Sequence, residues 1–504
     1  MQIALISVTA EFISIGLRII SAGLKREGHN VSMIFLGKDN NRDLDQKELN
    51  SFKNFLKGYD LVGVSFTSNY FDLARKITVE LKKDIHAKII WGGIHPTVCP
   101  KECLEYADYV CVGEGEILMK ELTSRMERNQ EFKDLYNLGY KQDNRSIINP
   151  VNPLIDDLNS LPISDLDENS HYTIENGGII SLKNNPNYER YVSNQYTIMA
   201  SRGCPHNCTY CANDFFKNQY LGQRYVRRRS IEKIIEELQQ VKTRMPFVKE
   251  INFVDDYFLG NPPKAEVEEF IAIYKKEINL PFYVLGFSPG QCKEEFISLL
   301  VDAGMKGVRM GIQSGSKDIL SLFSRKQLTV EKILESARVF NKYSKEIQID
   351  YDFILDLPWA TEKDEKETFD LILSLPKPFN LIFYSFVPFP GTSLFEKAKQ
   401  EGLLDKYKNK NYGEIQNSYF NSLIYLFEFH VPYFILRLLS DDNVYKSKIY
   451  KPCYLFLKST TRYLKFSYIV FYLYPWLLLT GKHKLSKYEI RRGFDNLRKV
   501  MGFG

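Results

Sequence analysis

The 504-residue chain lacks the features that direct a protein out of the cell or across a membrane. Met1 leads directly into the apolar residues 3–6, without the basic segment and small-residue cleavage site of a secretory signal. The apolar stretch 423–439 is interrupted by charged residues. The stretch 466–479 is shorter than the roughly 20 apolar residues that a membrane-spanning helix needs. We therefore expect a cytoplasmic protein.

Cysteine is scarce, with 8 residues in the whole chain, and neither sign of charge dominates, with a formal net charge of +5. Few cysteines in a long chain without a signal favour free thiols or metal ligands over a disulfide framework. The basic excess belongs to residues 451–504, which carry 11 Lys and Arg but only Glu489 and Asp495 as acidic residues. The length predicts two or three domains, and no internal repeat is present.

Apolar runs alternate with helical patterns along most of the chain and predict an α/β protein. In residues 1–130 this alternation predicts a parallel, Rossmann-like sheet whose turn residues lie at its carboxyl edge, where such sheets bind ligands. Residues 131–195 have weak periodicity and are predicted to be a linker. Five or six further βα units in residues 196–400 predict a partial (βα) barrel of the TIM type. Residues 401–504 are predicted to be mostly helical and rich in aromatic residues.

Three cysteines stand close together directly after a predicted strand. Cys204, Cys208 and Cys211 are separated by three and then two residues, so one loop can present three thiolates. Three ligands would leave one iron of a 4Fe–4S cluster open to an amino and a carboxylate group. An electron from the cluster could then break a carbon–sulfur bond of a bound sulfonium. A zinc site or unrelated thiols are the alternatives.

This loop resembles the Cys-x3-Cys-x2-Cys loop of the radical S-adenosylmethionine (SAM) superfamily, with Tyr210 as the aromatic residue before the last cysteine. The resemblance continues over about 200 residues and implies a TIM-type (βα)6 barrel, SAM as cosubstrate and an electron donor such as flavodoxin or ferredoxin. Gln313 stands where the family has glutamate. The positions implied to contact SAM are Tyr210, Asp255, Asp256, Gln313, Ser314, Gly315, Ser316 and Arg325.

The first 120 residues resemble the cobalamin-binding domain that precedes the barrel in one group of radical SAM enzymes. Glycines at strand ends let the backbone approach a large flat ligand. The positions implied to contact cobalamin are Ser65, Thr67, Ser68, Gly92, Gly93, His95, Gly113, Glu114 and Gly115. The Asp-x-His-x-x-Gly motif of cobalamin mutases is absent, which argues against His95 as a cobalt ligand. A fold that binds no cobalamin remains an alternative, and Cys99, Cys103 and Cys111 are predicted to be structural.

Two basic segments suggest other partners. Residues 227–229 are three arginines before a predicted helix, which favours a solvated or SAM-adjacent position over nucleic-acid binding. Lysines and arginines flank the aromatic stretch 466–479, as in segments that lie on an anionic membrane surface. Core packing of this stretch is the alternative interpretation. Peripheral membrane contact would make a lipid-like substrate attractive.

Together these observations predict a cobalamin-dependent radical SAM methyltransferase. A radical formed from one SAM would abstract hydrogen from an unactivated carbon of a small-molecule or lipid-like substrate, and cobalamin would deliver a methyl group. Radical cyclisation, bond formation or rearrangement is the first alternative, and a non-catalytic iron–sulfur or cobalamin sensor is the second. No catalytic side chain is predicted beyond the cofactor ligands, although Tyr257, Cys292 and Tyr384 could line the site.

Overall fold

The computed structural model describes residues 1–445 except 9–13, 37–42, 176, 184–193, 261, 408–412, 414, 417 and 429–430. Most strands are apolar runs covered on both sides, as parallel sheets between helices require. In the first half of the chain the elements are β1 (Gln2–Ser7), α1 (Ile15–Arg26), β2 (Asn30–Phe35), α2 (Gln46–Leu56), β3 (Leu61–Ser65), α3 (Phe71–Leu81), β4 (Lys88–Gly92), α4 (Ile94–Val98), α5 (Pro100–Cys103), β5 (Tyr109–Cys111), α6 (Glu116–Glu127), β6 (Leu138–Gln142), β7 (Arg145–Ile148), β8 (His171–Glu175) and β9 (Gly178–Ser181).

These strands form one nine-stranded sheet in the order β7-β6-β5-β4-β3-β1-β2-β8-β9. Strands β1 to β5 and β8 pair in parallel, whereas β6, β7 and β9 pair antiparallel at the two edges. The doubly wound α/β front domain is thus as predicted. Residues 131–195, predicted to be a linker with short elements, supply the two outermost strands at each end of this sheet. Their half-exposed, short strands lack the apolar runs that mark the central ones.

The second domain contains β10 (Gln195–Ile198), β11 (Ser201–Arg202), α7 (Ala212–Gln219), β12 (Arg227–Arg228), α8 (Ile231–Arg244), β13 (Glu250–Phe253), α9 (Lys264–Glu277), β14 (Phe282–Phe287), α10 (Glu294–Asp302), β15 (Met305–Gln313), α11 (Lys317–Leu322), α12 (Val330–Lys342), β16 (Gln348–Leu355), α13 (Glu362–Ser374), β17 (Asn380–Ser385) and α14 (Ser393–Gln400). Six strands pair in parallel in the order β10-β13-β14-β15-β16-β17, while β11 and β12 form a small hairpin. This is the predicted six-stranded partial barrel.

Alternation along the barrel strands separates an outer face from an inner one. On β15, Val308, Met310 and Ile312 are almost fully buried and belong to the core shared with α12. The residues that alternate with them, Arg309, Gly311 and Gln313, are only half buried and belong to the opposite face of the strand, which in a barrel is the interior. The interior therefore retains polar, accessible side chains on which a substrate could bind.

In the part of the chain that the structure describes, three helices follow the barrel: α15 (Tyr419–Glu428), α16 (Tyr433–Ser440) and α17 (Asp442–Tyr445). Helix α15 packs on α13, and Asp356 at the end of β16 accepts hydrogen bonds from Asn421 Nδ2 (2.9 Å) and Gln416 N (2.8 Å). Within the described part of the chain, no helix combines the length and apolar character needed to cross a membrane. The basic and aromatic segment predicted at 466–479 lies outside the described residues.

Candidate functional site

The cysteine loop connects the β11 hairpin strand to α7, at the carboxyl end of the first barrel strand. Gly203 opens the loop with φ +87, and a Cβ atom there would lie 2.4 Å from the Tyr225 carbonyl oxygen, so this position requires glycine. Cys208 is buried, whereas Cys204 and Cys211 are partly exposed. Burial raises the pKa of the Cys204 thiol to about 12 and that of Cys211 to about 11. A bound cation would offset that cost and stabilise the thiolates.

The spacing of the sulfur atoms distinguishes a cluster from a single zinc ion. Ligand atoms around a tetrahedral zinc lie about 3.5 Å apart, given metal–ligand distances of about 2.0–2.3 Å. Among the described residues, His95, Cys99 and Glu102 are the group whose ligand atoms all lie within 4.8 Å of one another. The three loop cysteines do not form such a group and are therefore more widely spaced than one zinc ion requires.

Asp255 lies at the end of β13 beside this loop. It is 3% exposed and accepts hydrogen bonds from the backbone N–H and the hydroxyl of Ser201. Its second oxygen, Oδ2, has no hydrogen-bond partner. Burial raises the pKa of Asp255 to about 7. A cationic group of a ligand could satisfy the unpartnered oxygen. Asp256, the next residue, is exposed and lines the cavity next to Cys211.

Arg325 provides a complementary positive group on the other side of the loop. The side chain is 3% exposed and donates to the Gly311 carbonyl (2.8 Å) and to Ser288 Oγ (3.0 Å). Its Nε atom is buried without a hydrogen-bond partner. His206, which the sequence did not single out, has a similarly unpartnered Nε2 within the cysteine loop. Buried polar atoms without partners are rare in folded proteins and mark places where a ligand binds.

The predicted segment 313–316 divides into two parts. Gln313 ends β15 with φ +76, an uncommon backbone conformation for a residue other than glycine, and it faces the barrel interior. Ser314 and Gly315 instead bind Thr368 of α13, and Ser316 caps α11 while donating to Asp364. These three residues therefore fix the strand end against α13 and would act on a ligand through their position. Tyr210 packs edge-on against Phe323, with ring centroids 4.7 Å apart.

A cavity at the carboxyl edge of the front sheet, here called the front cavity, encloses about 290 Å³ and opens to solvent. Six of the nine residues predicted to contact cobalamin line it: Ser65, Gly92, Gly93, Gly113, Glu114 and Gly115. Gly93 has φ +100, and a Cβ there would lie 2.7 Å from the Phe66 carbonyl oxygen. Thr67, Ser68 and His95 are not among the lining residues. A broad cavity floored by glycine fits a large flat ligand.

The second domain forms one side of the front cavity, a contribution that the sequence did not predict. Met199, Arg202 and Arg229 line it from the barrel side. A second cavity of about 390 Å³, the loop cavity, reaches from Glu114 to Cys211 and Asp256. Gly93, Gly113, Glu114, Met199 and Arg202 line both cavities. The two spaces therefore meet between the front sheet and the cysteine loop.

An ion-pair network, here called the Glu114 network, joins the two domains at this meeting point. Arg227 donates to both oxygens of Glu114 (3.0 and 2.8 Å), and Arg202 donates to Glu114 (3.0 Å) and Glu116 (2.6 Å). Although burial alone would raise the pKa of Glu114, hydrogen bonds and positive charge from the two arginines hold it below its usual value. Arg228 and Arg229 pair with Glu266 and Glu237, so the three successive arginines are held by carboxylates.

The barrel interior carries one further polar group of residues. Arg309 on β15 donates through Nε to both oxygens of Asp352 on β16, each at 2.8 Å, and through Nη2 to the Tyr384 hydroxyl on β17. Burial raises the pKa of Asp352 to about 6, against the opposing charge of Arg309. Tyr384 was predicted to line the site, whereas Arg309 and Asp352 were not. Their strand alternation could have identified them, because both sit between residues that pack on helices.

Comparison with known proteins identifies both domains. The sequence model of the radical SAM superfamily matches residues 198–372, and that of the B12 binding domain matches residues 1–123. An uncharacterized methyltransferase of Pyrococcus horikoshii is 24% identical, with 88% of this chain and 84% of the relative aligned. Cytidylyl-2-hydroxyethylphosphonate methyltransferase of Streptomyces wedmorensis is 26% identical over 69% of this chain and 68% of that protein.

Solved structures share the arrangement of the two domains. The radical SAM methyltransferase TsrM from Kitasatospora setae, with tryptophan and a SAM analog bound, superposes with a TM-score of 0.61. That superposition covers 79% of this chain and 76% of TsrM at 17% sequence identity. At this level of identity the similarity establishes the fold, while the site must be argued from its own residues.

Proposed function

Because the chain belongs to the radical SAM superfamily and carries a B12-binding domain before the radical SAM domain, we propose that it methylates an unactivated carbon of a small-molecule or lipid-like substrate. The protein is a radical SAM enzyme whose cofactors are a 4Fe–4S cluster, SAM and cobalamin. When bound, the cluster supplies the electron that cleaves SAM, and cobalamin supplies a transferable methyl group. The names of both aligned relatives, which are methyltransferases, support this reaction.

Cys204, Cys208 and Cys211 would hold the cluster. The support is their position on one loop at the carboxyl end of a barrel strand, together with a spacing wider than one zinc ion needs. A hydrogen bond anchors the loop to the barrel domain, because the Thr209 hydroxyl donates to the Leu322 carbonyl at 2.7 Å. Three protein ligands leave one iron for SAM.

Asp255 and Arg325 would bind the two charged ends of the SAM methionine moiety. Each is buried and retains one polar atom without a partner, and the two charges are opposite, as an ammonium and a carboxylate group require. Gln313 would contribute from the end of β15, because it faces the barrel interior. Ser314, Gly315 and Ser316 would hold that strand end in place through their bonds to α13.

The front cavity would hold cobalamin. Gly63, Gly92 and Gly93 line this cavity without side chains, and Glu114 and Arg202 offer polar contacts. Within the described lining no histidine is present, which supports binding without an imidazole ligand from this chain. Among the predicted contacts, Thr67, Ser68 and His95 are not proposed as cobalamin ligands, since they lie away from the cavity lining.

The observation that carries the proposal is that the front cavity and the loop cavity have five lining residues in common. Arg202 stands two positions before Cys204 and donates to Glu114 and Glu116 of the front domain. One arginine therefore ties the loop that would hold the cluster to the edge that would hold cobalamin. A methyl group and a substrate radical must meet at short distance, and this arrangement supports such a meeting.

The barrel interior would bind the substrate. Arg309, Asp352 and Tyr384 form a hydrogen-bonded group on adjacent strands, and Arg309 keeps a quarter of its side chain exposed. A substrate with a polar or anionic group could bind Arg309 without leaving a buried charge unpaired. The apolar part of a lipid-like substrate would need the segment beyond residue 445, which lies outside the described residues.

The test uses full-length protein reconstituted anaerobically with iron, sulfide and hydroxocobalamin and then given SAM and dithionite. We expect 5′-deoxyadenosine and S-adenosylhomocysteine to form together, because one SAM is cleaved and another donates its methyl group. Deoxyadenosine alone would overturn methyl transfer in favour of radical cyclisation, bond formation or rearrangement. If neither product forms, the protein is a cofactor-binding sensor and the enzymatic proposal fails.

A further inference from the structure

His95, Cys99 and Glu102 come together on the short helices α4 and α5, away from the front cavity lining. Their ligand atoms all lie within 4.8 Å of one another. His95 lies on α4, Cys99 is the residue between α4 and α5, and Glu102 lies on α5. The Cys99 backbone N–H donates to the His95 carbonyl at 2.9 Å, so this spacing is fixed by the helix itself.

The histidine ring is held with one nitrogen free. Ser68 Oγ lies 3.0 Å from His95 Nδ1, and the ring packs against Phe71 with centroids 4.6 Å apart. His95 is 4% exposed, yet its Nε2 atom has no hydrogen-bond partner. The nearest acidic oxygen, Glu102 Oε2, is 3.8 Å from Nε2, beyond hydrogen-bond range. Metal-binding histidines are commonly arranged in this way, with one ring nitrogen hydrogen-bonded to a neighbouring group and the other facing the metal.

The local charge favours a cation. Asp72 and Glu396 add further negative charge around Glu102 and Cys99. About half of the Glu102 side chain is exposed, which gives an ion access from solvent.

We propose that His95, Cys99 and Glu102 form a zinc site separate from the iron–sulfur and cobalamin sites. Sulfur, nitrogen and carboxylate oxygen are the three ligand types of zinc, and three protein ligands leave the fourth tetrahedral position to water. Zinc needs ligand atoms about 3.5 Å apart, which small side-chain rotations reach from the observed arrangement.

The position of the site gives zinc a structural consequence. Val98, the residue before Cys99, packs against Gly391 of the barrel. A Cβ atom added to Gly391 would lie 2.6 Å from Val98 Cγ1. The negative charge of Glu396 interacts with Cys99, and Glu396 lies in the first turn of α14, the helix that follows Gly391. A metal that fixes α4 and α5 would therefore stabilise the contact between the front domain and the last barrel turn.

The experiment measures zinc in the anaerobically purified holoprotein by mass spectrometry and its ligands by zinc X-ray absorption. We expect one zinc per chain with one sulfur ligand at about 2.3 Å. Cys99→Ser should remove the sulfur ligand and weaken zinc binding at least tenfold. Glu102→Gln, a change on an exposed side chain, should weaken zinc binding without unfolding the protein. Cys103→Ser changes the neighbouring buried cysteine and should leave zinc unchanged.

Three outcomes would overturn the site: a holoprotein that binds no zinc, a zinc with three sulfur ligands, which would lie at Cys204, Cys208 and Cys211, or a single sulfur that persists in Cys99→Ser. Formation of 5′-deoxyadenosine is scored separately on the same preparations. The zinc site can therefore fail while the radical reaction stands, and the reverse also holds.

Discussion

Single side chains near the cysteine loop differ in how far sequence alone could identify them. The spacing of Cys204, Cys208 and Cys211 was sufficient to predict one shared site, because the three cysteines lie on one loop and are local in sequence. Arg202 and Arg309 were not predicted, since their partners Glu114 and Asp352 lie on other elements and the pairing depends on the fold. His206 carries an unpartnered nitrogen that no sequence pattern reveals.

Replacement of one loop cysteine should remove the cluster while the fold remains. We expect Cys208→Ala to lose nearly all bound iron and the visible absorption of the cluster, because two thiolates cannot hold it. Cys292→Ala is the matched control, a buried cysteine 3.7 Å from Met310 Sδ, and it should cost about 1 kcal/mol of stability and retain iron. Equal iron contents in the two variants would contradict the assignment.

Asp255 should make SAM binding depend on pH. Its pKa is raised to about 7 by burial, so the carboxyl is increasingly protonated below pH 7 and ionised above it. Only the ionised form attracts an ammonium group, and we therefore expect SAM affinity to fall as the pH drops from 8 to 6. Calorimetric titration of the reconstituted protein measures this.

Asp255→Asn should bind SAM at least tenfold more weakly at pH 8, which corresponds to a charged hydrogen bond worth about 1.5–3 kcal/mol, and should lose the pH dependence. Asp214→Asn, on α7 directly after the loop, is the control and should retain both affinity and pH profile. A wild-type affinity that stays constant over this pH range would refute the role of Asp255.

Strands and helices agree with the sequence-based expectation where their buried residues form a clear apolar pattern. An apolar run predicts a strand over 61–66, and a 3.6-residue period predicts a helix over 231–242. The structure has a strand at Leu61–Ser65 and a helix at Ile231–Arg244. Strands β6 to β9, at the two ends of the front sheet, were not predicted individually, because these short strands carry no continuous apolar run. Asp356, directly after β16, anchors α15 through Asn421, a long-range contact that sequence could not show.

Strand β12 allows a direct test of the Glu114 network. Arg227 and Arg228 are adjacent, but Arg227 is 2% exposed and bidentate to Glu114, whereas Arg228 pairs with the half-exposed Glu266. Arg227→Ala leaves a buried carboxylate short of a partner and should lower the free energy of unfolding by about 3 kcal/mol. Arg228→Ala should cost at most about 1 kcal/mol.

Chemical denaturation of the two arginine variants, each monitored by circular dichroism, provides the comparison. We also expect Arg227→Ala to reduce S-adenosylhomocysteine formation more than 5′-deoxyadenosine formation, because the front domain is displaced while the cysteine loop is intact. Similar stabilities for both variants would mean that the network does not join the domains.

The two domains together show what neither half of the sequence contains. Each family pattern is local, so both cofactors could be inferred, but the shared lining of the front and loop cavities arises only from domain packing. Met199 and Arg229 illustrate this, since both belong to the barrel domain and both line the cavity of the front domain. The proposed methyl transfer depends on this proximity, and it can be tested by closing one cavity alone.

Gly92→Val should separate the two SAM-dependent products. Gly92 ends β4 and lines the front cavity, its φ is not in the left-handed region, and an added Cβ would meet Cys111 Cβ at an ordinary 3.6 Å. Valine therefore fits the strand but projects into the space proposed for cobalamin. The variant should keep its iron and form 5′-deoxyadenosine, while corrinoid content and S-adenosylhomocysteine fall at least tenfold.

Gly23→Ala on α1, with no atom within 4 Å of the added Cβ, is the control and should keep both products. If Gly92→Val retains corrinoid, the front cavity is not the cobalamin site; if it loses both products together, the two sites do not act independently.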